Sequence, residues 1–510
     1  MGFHAKELSY ESWEYEPESL PAETAPVAIA GGPVERPALP GADHTQQNVD
    51  NRAPIEKLPV EIYDQIFAHL IPQEPPSGYK KRNGDLSAVL KASRTLYAAC
   101  LFTIFQHALV PHSPVYSKFL AQITAHPALG LLVRRMDFSQ YTSVGLGRTG
   151  RMNMEMQNLT AKTLTLGLQH TRNLREYLAQ EALGPDIDAS VLEELFFNTP
   201  LLEAVDFCGA SASRFKEAFT EVIHPWNPRL PASFSIQRLS LHECATLPTT
   251  VFTALLPRLP NLTHLDLSHT QVTDTALMSI PASAKITHLS LSKCARLKGD
   301  NVVTFLLDHP AVRNLKVLNL YYDASRYRLL SAVDVEDLLP NLPKSLVSLN
   351  LTGASISSEH IGLILPLVSR LEELSLGHTE LAIEDVNAIF APQWKSTLRY
   401  LDLTGVAAVT PNTLHYSTNP ILACPGDLQV LELSEKNVTG CARLQATKRL
   451  GWSERSYGRR SWLVRDHEKG DQQVEEHREW KMGSTKWGNR KIACNWGEVG
   501  GIYAYYGRAR

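Results

Sequence analysis

A six-residue pattern with leucine at positions one, four and six recurs through most of this 510-residue chain. The clearest copies begin at Leu262, Leu315, Leu346, Leu371, Leu398 and Leu428, and two further copies begin at Ile236 and Ile286. Weaker copies begin at Val133 and Leu202, and the segment Leu174–Tyr177 lies in the long gap between them. From residue 205 onward, the fourth positions of successive copies are 24 to 34 residues apart. A period of this length indicates an array of similar units, which constrains the fold more than any single motif does.

Each repeat is predicted to contain one short strand and one helical segment. The alternating leucines indicate the strand, and Asp274, Asp300 and Ser358 precede helical patterns at positions typical of N-caps. A strand and a helix every ~20–30 residues are typical of the leucine-rich repeat. A doubly wound α/β domain would instead need longer apolar strands and no fixed period. We therefore predict an α/β solenoid of leucine-rich repeats, shaped like a horseshoe.

The residues beside the repeated leucines are predicted to line the concave side of this horseshoe. One column follows the position between the second and third leucines, and a flanking column runs from Arg238 through His264 and His288 to Tyr400. A solvated polar wall is the simplest interpretation of any single position, although such surfaces bind partners collectively. The candidate substrate face consists of Asp266, Ser290, Asn319, Asn350, Ser375 and Asp402.

Motifs that suggest metal, cofactor or catalytic chemistry lack the context these functions need. His264 and His288 lie on adjacent predicted strands ~4.8 Å apart, but Asp266 is the only nearby carboxylate in the pattern and a zinc site needs more ligands. The G-x-G-x-x-G segment at residues 145–150 does not follow a strand directly, as a dinucleotide site requires. We predict no metal, no cofactor, no catalytic residues and hence no enzyme activity in this chain.

The formal net charge of −3 conceals two oppositely charged ends. Residues 1–50 contain 9 acidic and 2 basic side chains and six prolines, so residues 1–53 are predicted to be a disordered acidic arm. Residues 441–510 contain 15 basic and 8 acidic side chains and five of the eight tryptophans. This basic, Trp/Tyr-rich module can be a packed cap or a partner-docking unit. Single-strand nucleic acid is the less favoured partner, because no RNA-binding signature accompanies the aromatic residues.

The chain shows no export signal and no apolar stretch long enough to span a membrane. We therefore expect a location in the cytoplasm, the nucleus or both, and no membrane partner.

A short helical segment precedes the repeats. A helix is predicted from Leu58-Pro59 onward, because apolar residues recur at helical spacing at Leu58, Ile62, Ile66 and Leu70. A polar insert follows at 72–84, and Asp85 after it is placed to cap a further helix. This segment, followed by a leucine-rich solenoid, resembles the F-box/leucine-rich-repeat family. A simple helical cap on the solenoid is the alternative.

The resemblance implies a substrate-recognition subunit of an SCF-type (cullin–RING) ubiquitin ligase. An F-box-like domain at 54–107 would bind a Skp-type adaptor and, through it, the cullin and RING subunits, and a solenoid at 108–440 would bind an unknown protein substrate. The implied adaptor contacts are Leu58, Pro59, Ile62, Ile66, Leu86, Leu90 and Leu96. Two other functions stay open: a leucine-rich interaction scaffold outside any ubiquitin ligase, and a nucleic-acid-associated protein acting through the C-terminal module.

Overall fold

A computed structural model describes residues 53–68, 78–110, 113–138, 159–179, 181–322, 328–416, 421–423, 428–457 and 460–465. Most of the predicted acidic arm lies outside these residues, as do Leu70, the glycine segment at 145–150, and Trp480, Trp487 and Trp496.

Three helices form a small unit at the N-terminal end of the described chain, here called the helical unit. They are α1 (Val60–Ala68), α2 (Gly78–Ala92) and α3 (Arg94–Gln106), and a short 3-10 helix, Pro54–Lys57, precedes them. Ser93 caps α3 by accepting a hydrogen bond from the backbone N–H of Leu96 at 3.3 Å. Asp85 lies inside α2 rather than at its start, so its predicted capping role is wrong, and part of the polar insert is helical.

A single 14-stranded sheet follows the helical unit. Its strands are β1 (His107–Leu109), β2 (Arg135–Asp137), β3 (Glu176–Leu178), β4 (Ala204–Asp206), β5 (Arg238–Ser240), β6 (His264–Asp266), β7 (His288–Ser290), β8 (Val317–Asn319), β9 (Ser348–Asn350), β10 (Glu373–Ser375), β11 (Tyr400–Asp402), β12 (Val430–Leu433), β13 (Trp452–Tyr457) and β14 (Arg460–Arg465). Strands β1 to β12 are parallel and adjacent in chain order. This order is that of a solenoid, in which each repeat contacts its neighbours along the chain.

Helices connect successive strands up to β13. Those within the described residues are α4 (Ser113–Ala125), α5 (Pro127–Gly130), α6 (Ala161–His170), α7 (Ala189–Phe197), α8 (Ser213–Val222), α9 (Thr249–Leu255), α10 (Asp274–Met278), α11 (Gly299–Asp308), α12 (Ala332–Leu338), α13 (Ile361–Ile364), α14 (Ile383–Ala388), α15 (Pro411–Tyr416), α16 (Glu435–Ala442) and α17 (Gln445–Arg449). Several of these helices are only one or two turns long, because each covers only the part of the core that belongs to its own repeat.

The core of the solenoid is one continuous cluster that runs from Ala108 to Leu463. The leucines of the template supply it, as Leu265 and Leu267 illustrate with at most 2% of their surface exposed. The polar turn position three residues after the last leucine also points inward. There Cys294 donates through Sγ to the backbone oxygen of Leu267 at 3.0 Å, which ties one repeat to the previous one.

An antiparallel hairpin closes the C-terminal end of the parallel ladder. β14 pairs antiparallel with β12, and β13 pairs with β14. Trp452 and Trp462 are buried in this hairpin, each with 1% of its surface exposed. Trp462 donates through Nε1 to Glu432 at 3.0 Å, and Trp452 donates to the backbone oxygen of Leu422 at 3.0 Å. Trp452 and Trp462 therefore pack as part of a cap.

The predicted architecture, a leucine-rich-repeat solenoid preceded by a small helical unit, is confirmed. Strand β3 lies at Glu176–Leu178, where the degenerate copy was placed. Strand β1 was not predicted, because Ala108 stands at the position where most of the other strands have leucine. It spans the predicted boundary at 107/108 between the helical unit and the solenoid.

Gly353 provides a test of the tight turn that follows each strand. Its φ is +81°, and a Cβ atom there would collide with the backbone oxygen of Tyr322. We expect Gly353→Ala to lower the free energy of unfolding by about 1–3 kcal/mol, as measured by urea unfolding. Gly362, where a Cβ would meet nothing within 4 Å, is the control. Gly362→Ala should be neutral or slightly stabilising, and equal losses in both variants would contradict the argument.

Candidate functional site

The helical unit buries one side of α1 and exposes another. Tyr63 and Phe67, one turn apart, stack with ring centroids 6.0 Å apart and are almost fully buried. Their core also contains Leu86, Ala99 and Cys100. Only the aliphatic residues at helical spacing were considered in the sequence, and this buried aromatic pair was not predicted.

The other side of α1, here called the exposed face of α1, consists of Pro59, Ile62 and Ile66. These residues are spaced at i, i+3 and i+7, so they lie on one side of the helix. Pro59 is exposed, Ile62 is half-buried and Ile66 has 38% of its surface exposed. Exposed apolar side chains in a row are typical of a surface that another protein covers.

The seven residues implied as adaptor contacts therefore occupy different places. Pro59, Ile62 and Ile66 form the exposed face of α1. Leu58, Leu90 and Leu96 are partly buried against the small core, and Leu86 is 2% exposed within it. Leu86 and Leu90 also line an open cleft between α2 and the first repeat. Leu86 can thus stabilise the helical unit, but it offers almost no surface to a partner.

The candidate substrate face forms a continuous line across the strands. Asp266, Ser290, Asn319, Asn350, Ser375 and Asp402 follow one another in register from β6 to β11. The expectation that this column is a solvated wall is wrong, because each of the six residues exposes 6% or less of its surface. The spacing of strands about 4.8 Å apart brings these side chains against each other, and they exclude water.

Hydrogen bonds connect two neighbouring pairs of the buried column. Asn319 donates through Nδ2 to Ser290 Oγ at 2.9 Å, and Ser375 donates through Oγ to Asp402 at 2.7 Å. Asn350 accepts from the backbone N–H of Thr352 at 3.0 Å, which fixes the turn after its strand. These side chains bond within the structure and orient the turns, so they act largely from within it.

Asp206 and Asp266 show how burial and partners act on carboxyl groups in this column. Burial raises the pKa of Asp206 to about 7, although Oδ1 accepts from the backbone N–H of Cys208 at 2.8 Å. Burial also disfavours the charged form of Asp266. The electrostatic effect of His242, together with hydrogen bonds from His242 and Ser268, nevertheless holds the pKa of Asp266 below its usual value. The distance between Asp266 Oδ2 and His242 Nδ1 is 3.2 Å.

The flanking column retains accessible polar groups on β5 to β7. Arg238, His264 and His288 lie side by side and are half-buried, and Arg238 pairs with Glu176 at 2.5 Å. No group of three His, Cys, Asp or Glu side chains suited to a metal ion occurs among the described residues.

Four residues in the turns after the strands were not predicted from the sequence. They lie on the other side of the buried column from the flanking column. Glu243, His269, Lys293 and His378 adopt positive φ angles of 55° to 57°. Three other repeats have glycine at the equivalent position: Gly209, Gly353 and Gly405. A comparison of this position across the repeats would have shown, in the sequence, that some repeats have glycine there and others do not. Non-glycine residues are strained in this conformation, which makes their presence a sign of a role other than stability.

Comparisons with known proteins identify relatives of this arrangement. A family model described as "Leucine Rich repeat" matches residues 258–280. A Saccharomyces cerevisiae protein named F-box protein YLR352W is 31% identical over 275 residues, which is 50% of this chain and 34% of that protein. The resemblance to the F-box/leucine-rich-repeat family is confirmed. The chain spans about a third of the length of this curated relative.

Solved structures also match parts of this chain. The yeast Rad7 and Elc1 complex matches 67% of this chain and 90% of the other, at 14% identity and a TM-score of 0.30. The leucine-rich-repeat-containing protein LegL7 from Legionella pneumophila matches 56% of this chain and 92% of the other, at 16% identity and a TM-score of 0.33. Separately, none of the described helices is long and apolar enough to cross a membrane.

The raised pKa of Asp206 gives a pH-dependent prediction. Because its pKa is about 7 when folded and near 3.8 otherwise, the folded chain binds the extra proton, and stability falls as pH rises from about 4 to about 7. Asp206→Asn removes this cost and should raise the free energy of unfolding at pH 8, where each pKa unit is about 1.4 kcal/mol. The gain should vanish near pH 4. Asparagine already serves the same turn at Asn350, so the variant should fold.

Asp266→Asn is the matched control for this prediction. It removes a carboxylate that pairs with His242, so it should lower stability at pH 7. Urea unfolding of both variants between pH 4 and pH 8 checks the prediction. A pH-independent effect of Asp206→Asn would contradict it.

Proposed function

We propose that this chain is the substrate-recognition subunit of an SCF-type ubiquitin ligase. It docks a Skp-type adaptor through the helical unit and holds a protein substrate on the leucine-rich-repeat surface. In this proposal the chain itself is non-catalytic, and it contributes proximity between the substrate and the cullin and RING subunits. It acts in the cytoplasm, the nucleus or both, where these partners would meet it.

The exposed face of α1 is the observation that carries this proposal. Tyr63 and Phe67 already fill the interior of the helical unit, so Pro59, Ile62 and Ile66 are not needed for its core. Ile55 lies just before α1 with 43% of its surface exposed, which extends the apolar surface. A helical unit that served only as a cap on the solenoid would have no need of apolar side chains on its outer side. The similarity to a protein named as an F-box protein supports the same function.

The described part of the C-terminal module does not favour nucleic acid. Trp452 and Trp462 are buried, so neither ring is available for stacking on a base. Arg465 lies over the ring of Trp452 at 4.8 Å and is part of the packing. The interaction scaffold outside a ubiquitin ligase is therefore the alternative that an experiment has to separate.

Ile66→Asp tests adaptor docking. A charge on the exposed face of α1 should reduce recovery of a Skp-type adaptor in co-purification by at least about tenfold, because the apolar contact would have to bury an unpaired carboxylate. The melting temperature should change little, since Ile66 lies outside the small core.

Val333→Asp provides the matched control on the solenoid. Val333 has 64% of its surface exposed on α12, so the same kind of change there should leave adaptor recovery unchanged. Equal recovery with Ile66→Asp and the unchanged chain would contradict the receptor function. Absence of the adaptor from the unchanged chain would favour the scaffold.

A further inference from the structure

A cleft lies between the helices that connect β2 to β5. It has a volume of about 600 Å³ and is bordered by α6, by the short 3-10 helix Glu181–Asp186 and by the N-terminal ends of α7 and α8. Thr165 on α6 and Ser190 on α7 are joined by a hydrogen bond between their hydroxyl groups at 3.0 Å, which fixes the spacing of these two helices. The described residues that line the cleft belong to helices and their caps, so the cleft is separate from the buried column.

One carboxyl group of the cleft is occupied by hydrogen bonds within the protein. Asp188 caps α7, and its Oδ1 accepts from the backbone N–H and the hydroxyl of Ser190 at 3.0 and 2.7 Å. Its Oδ2 accepts from Arg214 at 2.8 Å. Burial disfavours the charged form of Asp188, but hydrogen bonds from Ser190, Val191 and Arg214 hold its pKa below the ordinary value. The charge of Arg214 is thus already paired.

Asp186 lies two residues earlier and has the opposite environment. It is half-buried, and no described residue donates a hydrogen bond to it or forms an ion pair with it. Burial raises the pKa of Asp186 to about 6, and the charge of Arg214 offsets this effect only in part. A carboxylate in such a place costs free energy unless a cation or hydrogen-bond donors compensate its charge. Asp186 is therefore the group of the cleft that would gain most from an outside donor.

The rest of the lining suits a long side chain with a charged end. Leu166 on α6 has 37% of its surface exposed and supplies an apolar contact at the cleft. Lysine and arginine side chains bury their aliphatic stems on such surfaces while their charged ends bind elsewhere. Lys162 also lines the cleft, but it is exposed, so solvent screens its charge.

Other classes of ligand fit this cleft less well. No group of three His, Cys, Asp or Glu side chains suited to a metal ion occurs in the part of the chain that the structure describes. An anion would meet the uncompensated carboxylate of Asp186. A cationic group that brings N–H donors satisfies Asp186 in both charge and hydrogen bonding.

We propose that this cleft binds a basic side chain, arginine or lysine, from an exposed segment of a partner protein. Its stem lies on Leu166, and its charged end donates hydrogen bonds to Asp186. The inference goes beyond the proposed function, because it requires neither the adaptor nor a substrate on the concave side.

Peptide pools test this inference on the full chain. Four octapeptide pools carry arginine, lysine, citrulline or glutamate fixed at two central positions, and the other positions are random but uncharged. Citrulline has the stem of arginine without its charge. At least one of the two basic pools should be retained by the immobilised protein about tenfold more than the citrulline pool, at about 50 mM salt and about pH 8. Equal retention of the basic and citrulline pools, preference for the glutamate pool, or no retention would overturn the proposal.

Variants show whether Asp186 is responsible for that retention, since basic peptides can also bind other acidic parts of the chain. In Asp186→Asn, retention of the basic pools should fall about tenfold. The melting temperature of this variant at about pH 8 should not fall, because the change removes a half-buried carboxylate that lacks a partner in the fold. Asp308→Asn, at an exposed position at the end of α11, is the matched control and should leave retention unchanged. Unchanged retention in Asp186→Asn, or equal losses in both variants, would overturn the assignment.

The dependence of retention on pH is a second readout. Because the pKa of Asp186 is about 6, its carboxyl group is largely protonated at about pH 5 and ionised at about pH 8. Retention of the basic pools should therefore rise about tenfold between these values, and the rise should be absent in Asp186→Asn. The other charged groups that line the cleft are Lys162, Asp188 and Arg214, of which Asp188 stays ionised because its pKa is lowered. The buried hydroxyl of Tyr177, on which Asp186 acts electrostatically, stays protonated because burial raises its pKa. The same rise in Asp186→Asn would contradict the role of Asp186.

Two further measurements separate a failure of this site from other failures. Leu166→Lys places a like charge at an exposed position of the cleft, so it should reduce retention about tenfold, and it keeps the test valid if Asp186→Asn unfolds. Unchanged retention in folded Leu166→Lys would overturn the assignment. Recovery of the Skp-type adaptor from the same preparations reports on the proposed function alone. Loss of peptide retention with normal adaptor recovery assigns the effect to the cleft.

Discussion

The parallel backbone ladder is the interaction on which the rest of this structure depends. Each repeat contributes a strand of three or four residues, too short to be stable alone, and its apolar face can only be buried against the next repeat. Twelve such strands in register bring equivalent positions of the sequence into lines across the sheet. Every surface discussed above, including the buried column, the histidine pair and the turn residues, follows from that alignment.

The same alignment produces two environments from similar polar residues. At the central position, neighbouring Ser, Asn and Asp side chains contact each other and are buried. At the flanking position, Arg238, His264 and His288 on β5 to β7 keep part of their surface exposed, whereas Glu373 and Tyr400 on β10 and β11 are buried. Partner contacts are therefore expected at the edges of the concave side, with the central column supporting them.

The leucine template was sufficient to predict the fold, because burial of those side chains requires the stacking of repeats. It identified even the degenerate strand at Tyr177, but it missed β1, where Ala108 takes the place of leucine. Helix starts were less predictable: the Asp274 helix is capped by Thr273, and Asp85 lies within a helix. The burial of Asp266 and Asn350 could not be predicted, because it depends on contacts with side chains from repeats tens of residues away. The division of α1 into a buried and an exposed side could not be predicted either, because it depends on which side of α1 packs against α2 and α3.

The C-terminal hairpin changes which strand ends the sheet. Without it, β12 would present its backbone groups at the end of a long parallel ladder, where the strand of another molecule could add. With it, the last described strand is β13, which carries the exposed charged residue Glu454 in its middle. Charged residues on an edge strand oppose pairing between sheets of different molecules. The hairpin thus protects against aggregation as well as covering the core, and it favours a solenoid of fixed length over a growing fibre.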